Sequence, residues 1–356
     1  MESEGQVMKR IWKGIAALLI VSLMLLVFAG CGSGGTESIN GVALPDLSQV
    51  DASATMQKVQ QGMENVKNID AAMNIDLDMS ASAITGTANS VKMNMAMDIQ
   101  SLKDPIRMHL KVDGDMAEGA GSGGENIHTE LYLVPDGENY VAYISNVENN
   151  TAVWQKQTMK KEEVEAAMRS AESTMNASGN ASVKEFQKIF FNATDLSVVG
   201  REWINNVNAL HIHGEISLSE MMKAMQNTDL LGSGIDSNEI NMILTMFQDV
   251  TVPFDYYVDE IANRPVRITM DLKSAIDEIV SKAMALSGLA SGSAQMSQSL
   301  INVNQAFISM DLKAFDEQVQ DIQVPAEVIQ QAKEISGSSS SVDKIAVLPN
   351  VVESFV

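Results

Sequence analysis

The sequence predicts an α+β fold in which an antiparallel sheet is covered by helices. Several consecutive segments alternate apolar and polar residues with period two, and other segments carry apolar residues at helical spacing. The alternating segments follow one another directly in the chain, which favours antiparallel neighbours with one wet face over a parallel sheet buried on both faces.

The chain starts with a segment typical of a secretory signal. Basic residues within 9–13 precede an apolar run over 15–28, which is followed by two small residues. This run is shorter than the roughly 20 apolar residues that a membrane-spanning helix needs. We predict a signal peptide over residues 1–30, with Met8 as a second candidate for the initiating residue.

The only cysteine of the chain, Cys31, follows this segment directly, and Phe28-Ala29-Gly30-Cys31 resembles the lipobox of bacterial lipoproteins. The resemblance implies that the Cys31 sulfur carries a diacylglyceryl group and that the protein is anchored to the outer face of the bacterial cytoplasmic membrane. Two acyl chains suffice for stable anchoring, since each buried methylene contributes about 0.8 kcal/mol. A plain cleaved signal peptide and a retained anchor are the alternatives.

The composition argues against nucleic-acid binding, against attachment to a membrane by charge and against a disulfide within the chain. The formal net charge is −22, and an acidic surface repels the phosphate backbones that nucleic-acid-binding proteins neutralise with Lys and Arg. We therefore expect no nucleic-acid partner, and attachment to an anionic membrane must depend on lipid. With a single cysteine no disulfide can form within the chain, so stability must come from packing.

The rest of the chain divides into three parts. Residues 31–55 are rich in Gly, Ser, Thr and Asp and are predicted to form a flexible tether. Residues 56–335 form the folded domain, which opens with an amphipathic helix ending near Asn68. Residues 336–356, which begin with Ser336-Gly337 and four serines, are predicted to be a disordered or loosely attached tail.

Within the domain, alternating residues predict a series of strands, and helical periodicity predicts inserts between them. The strands are expected at 71–79, 91–99, 106–112, 128–134, 139–145, around Trp154, and at 195–203, 209–218, 251–258, 265–272 and 302–312. The helices are expected within 160–191, 219–248, 274–289 and 326–335.

Methionine is unusually frequent, with 24 in the chain against an aromatic content of 5%. Six methionines fall on the strand faces that turn away from water, and these are the candidate ligand-binding residues: Met73, Met79, Met93, Met95, Met97 and Met108. If the helices fill the space above them, the thioethers are ordinary core. If space remains, the same flexible, polarizable side chains can line a cavity for a lipid-like guest.

Enzymatic signals are weak. None of the four histidines belongs to an HExxH pattern, and there is no nucleophile elbow, P-loop or dinucleotide fingerprint. His211 and His213 share a strand face that two metal ligands could use, but a solvated outer face explains them better. Asp70, Asp76 and Asp78 lack the spacing of a calcium loop. We therefore predict no enzyme activity, no metal site and no cofactor.

An opening amphipathic helix followed by serial strands and hairpins separated by helices resembles the LolA, LolB and LppX/LprG lipoproteins. Local similarities lie in Leu196–Ile212, in Tyr256–Asp259 with Arg264–Val266, and in Asp321–Pro325. The chain is similar above all to uncharacterised Gram-positive lipoproteins of that shape. The resemblance covers about residues 56 to 335 and implies a curved sheet, a half-barrel, wrapping helices, with an apolar cavity that holds acyl chains in several members.

These observations predict an anchored extracytoplasmic lipoprotein that binds or senses a lipid-like or other hydrophobic ligand. The expected partners are the membrane, reached through the N-terminal lipid, and such a hydrophobic molecule. The alternative is a non-catalytic cell-envelope interaction or structural module without a ligand, whose partner would be an envelope protein. A nutrient-importer receptor fits less well, because its two lobes need parallel sheets.

Overall fold

The computed structural model describes residues 44–63, 66–82, 88–118, 125–148, 151–166, 193–220, 247–286 and 301–334. The predicted signal peptide, the lipidation site Cys31 and the tail lie outside the described residues, as do most of the two helical inserts at 160–191 and 219–248. Residues 44–55, assigned to the tether by sequence, contain a 3-10 turn at Leu47–Gln49 and the start of the first helix.

Twelve strands form one sheet. They are β1 Ile69–Ser82, β2 Ala88–Lys103, β3 Ile106–Glu118, β4 Glu125–Asp136, β5 Asn139–Glu148, β6 Thr151–Lys160, β7 Thr194–Ile204, β8 Val207–Ser217, β9 Thr251–Asp259, β10 Arg264–Asp271, β11 Ile301–Phe315 and β12 Lys333–Glu334. Every strand expected from the alternating pattern is confirmed, and most extend several residues beyond it.

The strand order is β12-β6-β5-β4-β3-β2-β1-β11-β10-β9-β8-β7. Strands β1 to β6 form one antiparallel meander and β7 to β11 form another. The two meanders are joined by antiparallel pairing of β1 with β11, the first and last long strands. The short β12 pairs with β6 in parallel, so the sheet is mixed, and it is not closed because β12 and β7 stand at opposite ends of the order.

Three described helices accompany the sheet: α1 Ala52–Met63, α2 Lys273–Leu286 and α3 Ala326–Gln331. Helix α1 begins four residues before the predicted start because the Asp51 carboxylate accepts a hydrogen bond from the Ala54 amide at 2.9 Å, an N-cap. The Asp271 carboxylate accepts from the Lys273 amide at 2.9 Å in the same way at the start of α2. Residues 161–166 and 218–220 are also helical.

The predicted fold class, an α+β half-barrel with a curved antiparallel sheet covered by helices, was wrong. The described structure is dominated by a single large, unclosed, mixed sheet, and the described helices are few and small. Strand pairing continues past the apolar alternation because backbone hydrogen bonds form whatever the side chain, which lengthens the strands. The predicted helix over 326–335 also ends early, since Lys333 and Glu334 pair with β6.

The hairpin turns follow the residue types that the sequence offers. Asn205 and Asn206 join β7 to β8, and both have positive φ, +49° and +66°, as a two-residue type I′ turn requires. Asn263 has φ +51° immediately before β10, and Gly137 has φ +62° between β4 and β5. Asparagine and glycine tolerate this left-handed region better than other residues do.

The main core lies on one face of the sheet, which we call the apolar face. Alternate residues of β1 such as Ala71, Met73 and Ile75 point into it, whereas Asp76 and Asp78 lie on the opposite, polar face. Helices α1 and α2 contribute to the same core but contact chiefly the β7 to β11 half of the sheet: α1 contacts β7 and β10, and α2 contacts β9 and β11.

Part of the polar face is also covered. On β4 to β6 it carries Tyr132, Tyr143 and Trp154, which pack with Ile322 and Val328 from the chain after β11. The Tyr132 and Trp154 rings are 6.0 Å apart between centroids. The chain after β11, which we call the C-terminal segment, therefore covers the polar face of β4 to β6. These three strands are buried on both faces.

Candidate hydrophobic site on the apolar face

Five of the six candidate methionines lie together. Met73, Met79, Met95 and Met97 are buried in the main core, and Met93 is half-buried and packs against it. They occupy the neighbouring strands β1 and β2, where Met73 and Met97 are directly paired. The structure thus brings these side chains into one contiguous surface.

The sixth methionine is separate. Met108 on β3 belongs to a second buried cluster that includes Leu131, Tyr140 and Val164. Val164 comes from the helical residues 161–166. Met108 is still on an apolar surface, but it packs with β4 and β5 rather than with the other five methionines.

A continuous line of paired residues, the central row, crosses seven strands of the apolar face. From β3 to β8 in sheet order it consists of Val112, Met97, Met73, Met310, Ile268, Tyr256 and Ile212. Every one of these residues is buried. The row therefore joins the methionine strands of the first meander to the aromatic strand of the second.

A second line, the flanking row, runs parallel to the central row, and its residues are two positions away from those of the central row on every strand. It consists of Gly114, Met95, Ile75, Ile308, Met270, Phe254 and Gly214. At its β8 end the Phe254 ring lies over Gly214: a Cβ placed on that glycine would be 2.8 Å from Phe254 Cε1. The absence of a side chain at Gly214 leaves room for the ring.

The Tyr256 hydroxyl is the only side-chain oxygen or nitrogen in these two rows. The residue is 5% exposed, and its hydroxyl makes no hydrogen bond to any described residue. Burial raises the pKa of Tyr256, so the hydroxyl keeps its proton and can donate. The Phe254 ring meets the Tyr256 ring edge-on at 6.5 Å between centroids and helps to hold its orientation.

The half of this surface that comes from the second meander was not predicted from the sequence. Met310, Met270, Phe254 and Tyr256 all lie on it, yet none was among the candidates. Their own strands showed the same alternation, which is the signal that could have identified their inward faces. What the pattern did not contain was the pairing of β11 with β1, which places Met310 beside Met73.

The polar face of the same strands carries pairs of opposite charge. Lys92 Nζ lies 2.8 Å from Asp78, and Asn304 donates to Asp78 at 3.0 Å from the neighbouring strand β11. Asn94 donates to Asp76 at 2.8 Å. The hydrogen bonds of Asp78 with Lys92 and Asn304 lower its pKa. These carboxylates are satisfied by cross-strand partners.

The two histidines on a shared face are held by carboxylates. His211 Nε2 and His213 Nδ1 both lie within hydrogen-bonding distance of Asp255, at 2.8 and 2.9 Å, and His211 Nδ1 lies 3.0 Å from Glu202. Burial disfavours ionisation of Asp255 and is the largest influence on it, but the two histidines together outweigh burial and lower its pKa. His211 also stacks on Tyr257, with ring centroids 4.5 Å apart.

Across the described ranges, no group of three or more His, Cys, Asp or Glu side chains has the geometry to hold a metal ion. The same residues contain no helix with both the length and the apolar character needed to cross a membrane.

Comparison with known proteins gives a match to one family, described as "Family of unknown function (DUF6612)", over residues 51–333. No curated protein matches. Among solved structures, the chain is similar to LprF from Mycobacterium bovis, at 9% identity and a TM-score of 0.32, covering 77% of this chain and 95% of that one. At this TM-score the likeness is coarse.

Proposed function

The chain belongs to the Family of unknown function (DUF6612), and we propose that it is a lipid-anchored extracytoplasmic protein that binds or senses a lipid-like hydrophobic molecule on the apolar face of its sheet. In this proposal the protein is a binding protein and not an enzyme. Cys31 carries the lipid anchor, and the apolar face receives the guest.

The observation that carries the proposal is the combination of the central row with a single hydroxyl. Ligand sites for apolar molecules are lined mostly by hydrophobic side chains and contain a few polar groups that fix orientation. Met73, Met97 and Met310 supply adjacent flexible thioethers that can repack around different chains. Tyr256 supplies one donor at the other end of the row for an ester, carboxyl or hydroxyl group of the guest.

The anchor is supported by the sequence. Cys31 follows an apolar run and two small residues, and the chain between it and the first described residue is rich in Gly and Ser. A diacylglyceryl group there would place the binding domain at the outer face of the cytoplasmic membrane, close to a source of acyl chains.

The first test is native mass spectrometry of the mature protein purified from its bacterial host under non-denaturing conditions. A retained lipid should appear as a mass increment that disappears on denaturation, separate from the covalent increment at Cys31. Repeated recovery of ligand-free protein, with no uptake of added fluorescent fatty acid or lysophospholipid, contradicts the binding proposal.

Tyr256→Phe tests the placement of the guest. Loss of one hydrogen bond to the ligand should weaken binding about tenfold, which corresponds to about 1.4 kcal/mol. Tyr257→Phe is the matched control: it makes the same chemical change at the next residue, on the polar face against His211, and should leave affinity unchanged. Equal affinities for both variants and the unmodified protein would remove Tyr256 from the site.

The alternative, an envelope interaction or structural module without a ligand, is favoured by one observation. Met73, Met95 and Met97 are exposed by only 1–2%, as expected of a filled core. An empty protein in native mass spectrometry, combined with capture of one envelope protein by the anchored chain, would favour this function over lipid binding.

A further inference from the structure

Exposed apolar side chains are concentrated at one corner of the domain. In the described part of the chain five large apolar residues are exposed: Leu47, Val199, Trp203, Ile261 and Ile329. The first four lie within two residues, along the chain, of a single cluster of contacts made by Arg201. Trp203 is the most exposed of them, at 76%.

Arg201 joins three segments at this corner. Its guanidinium contacts the Glu260 carboxylate through Nε at 2.6 Å and Nη2 at 3.1 Å, and Nη2 also donates to the Pro45 carbonyl at 2.8 Å. The Arg201 and Glu260 side chains are 16% and 10% exposed, so this pair is a fixed feature. Arg201 thereby holds together the chain before α1, strand β7 and the turn after β9.

The exposed residues lie close in the chain to the three residues that make these contacts, Pro45, Arg201 and Glu260. Trp203 is two residues beyond Arg201 on β7, with regular pairing between them, so both side chains lie on the same face of the strand about 7 Å apart. Leu47 comes two residues after Pro45, and Ile261 comes next after Glu260. We call Leu47, Val199, Trp203 and Ile261 the corner patch.

The length of chain outside the structure limits what can meet this patch. Pro45 is held at the patch by Arg201, and only residues 32–44 separate it from Cys31. A segment of that length reaches about 50 Å when fully extended, and about 20 Å on average for the flexible tether that its composition predicts. With Cys31 in the bilayer, this segment would keep the corner patch within about 50 Å of the lipid surface.

The chemistry of the patch suits that surface. Tryptophan is enriched at membrane interfaces, where its apolar ring and its N–H are both accommodated. The Arg201 and Glu260 charges neutralise each other, and the chain as a whole carries a net charge of −22. Electrostatic attraction of the patch to the membrane is therefore excluded, and contact with the membrane must come from the apolar side chains.

We propose that the corner patch is a membrane-contact surface, inserting Trp203 into the interface of the bilayer that holds the lipid anchor and so fixing the orientation of the sheet. This inference rests on the lipid anchorage proposed above, and it is independent of whether the apolar face holds a ligand.

The test uses the lipidated mature protein reconstituted in phosphatidylcholine vesicles that contain brominated acyl chains, which quench nearby tryptophan. Only Trp154 and Trp203 remain after the signal segment is removed, and Trp154 is buried under the C-terminal segment on β6. We expect loss of most of the Trp203 emission, and no quenching in Trp203→Phe, whose only emission comes from Trp154. Raising the salt concentration should change neither result.

Paired variants locate the contact. Leu47→Ser with Ile261→Ser should reduce quenching of Trp203. Ile329→Ser, which alters the one large exposed apolar side chain outside the patch among the described residues, should not. Vesicle-bound protein whose Trp203 is not quenched by bromine overturns the inference and leaves lipid anchorage intact. Shielding of Trp203 from aqueous iodide without bromine quenching overturns it in favour of contact with a second copy of this chain, the only other protein in the vesicles. An unmodified Cys31 overturns both the anchorage and this inference.

Discussion

Met73 and Met310 are directly paired across β1 and β11, although these are the first and the last of the long strands. Each side chain is buried, at 1% and 2% exposure. This contact joins the two meanders in the middle of the sheet, so it belongs both to the stability of the fold and to the proposed binding surface.

Met73→Ala and Met310→Ala should each lower the free energy of unfolding by about 2–5 kcal/mol, because each removes most of a buried side chain from a packed site. Met73→Leu and Met310→Leu, which roughly conserve volume, should cost less than about 1.5 kcal/mol. Urea denaturation of the mature protein measures both pairs. Ile329→Ala, at an exposed position, is the control, and a similar loss there would show that the assay does not report on the core.

The ligand-free Tyr256→Phe variant should be more stable than the unmodified protein by about 1–2 kcal/mol. The Tyr256 hydroxyl has no hydrogen-bond partner among the described residues, and the substitution removes the cost of taking this group out of water while it keeps the ring. Thermal unfolding of delipidated protein measures the change. Destabilisation by a similar amount would indicate that the hydroxyl has a partner in the ligand-free protein.

Gly214→Ala should destabilise the protein by about 1–3 kcal/mol, the usual cost of overpacking a core. Its Cβ would lie 2.8 Å from Leu196 Cδ2 and 2.8 Å from Phe254 Cε1, so the aromatic ring must move. Gly200→Ala is the matched control on the adjacent strand β7, since nothing lies within 4 Å of its added Cβ. Equal stabilities of the two variants would contradict the close packing of Phe254 on β8.

Asp316, which follows β11 directly, makes hydrogen bonds with residues just before β1 and at the start of β10. Its carboxylate accepts hydrogen bonds from the Lys67 amide at 2.8 Å, the Asn68 amide at 3.4 Å and Arg264 Nη2 at 2.8 Å. Its φ is +49°, a conformation that Asp and Asn tolerate better than most residues.

Asp316→Ala should therefore cost about 2–4 kcal/mol, because it leaves the partly buried Arg264 without its partner and strains the backbone. Asp316→Asn retains an acceptor for the amides and the backbone preference and should cost less. Denaturation midpoints rank the two variants. An alanine variant that is as stable as the asparagine variant would show that these contacts do not hold the strand ends.

The Asp255 cluster predicts a pH dependence. The folded-state pKa of Asp255 is lowered below its ordinary value of 3.8, because the hydrogen bonds and charges of His211 and His213 outweigh burial. A lowered carboxyl pKa stabilises the folded protein at pH values above the pKa of the group in the unfolded chain. This contribution is lost as the pH falls through the pKa of the group in the folded protein.

We expect an NMR titration of the Asp255 carboxyl to give a midpoint below 3.8, and we expect Asp255→Asn to flatten the acid limb of stability against pH. A midpoint at or above the ordinary value, or an acid limb of unchanged slope, would contradict the arrangement of the two histidines around this carboxylate.

Much of the local structure could be predicted from the sequence. Alternation in residues 71–79 and 91–99 predicted both strands and the inward direction of Met73 and Met97, because side chains of a strand point to opposite faces in turn. Asn205 and Asn206 lie between the two strands expected at 195–203 and 209–218, and both adopt the positive φ that the turn between β7 and β8 requires.

The prediction was least accurate where the outcome depended on partners distant in the sequence. Periodicity assigned Lys333 and Glu334 to a helix, whereas pairing with Gln155 and Lys156 of β6 makes them a strand. Nothing local to either segment specifies this parallel contact. The expected balance of helix and sheet was wrong for a related reason: strand length depends on what a neighbouring strand offers for pairing.

The sequence by itself determined which residues alternate, which positions accept turns and where the predicted lipid anchor attaches, because each depends on neighbours within a few residues. Only the tertiary structure decided that β11 lies beside β1, that Tyr256 ends up in one row with the methionines, and that Arg201 gathers the exposed apolar residues at one corner. Each of these results from backbone pairing or side-chain contact between segments far apart in the chain, and such pairing is selected by the packing of the whole sheet.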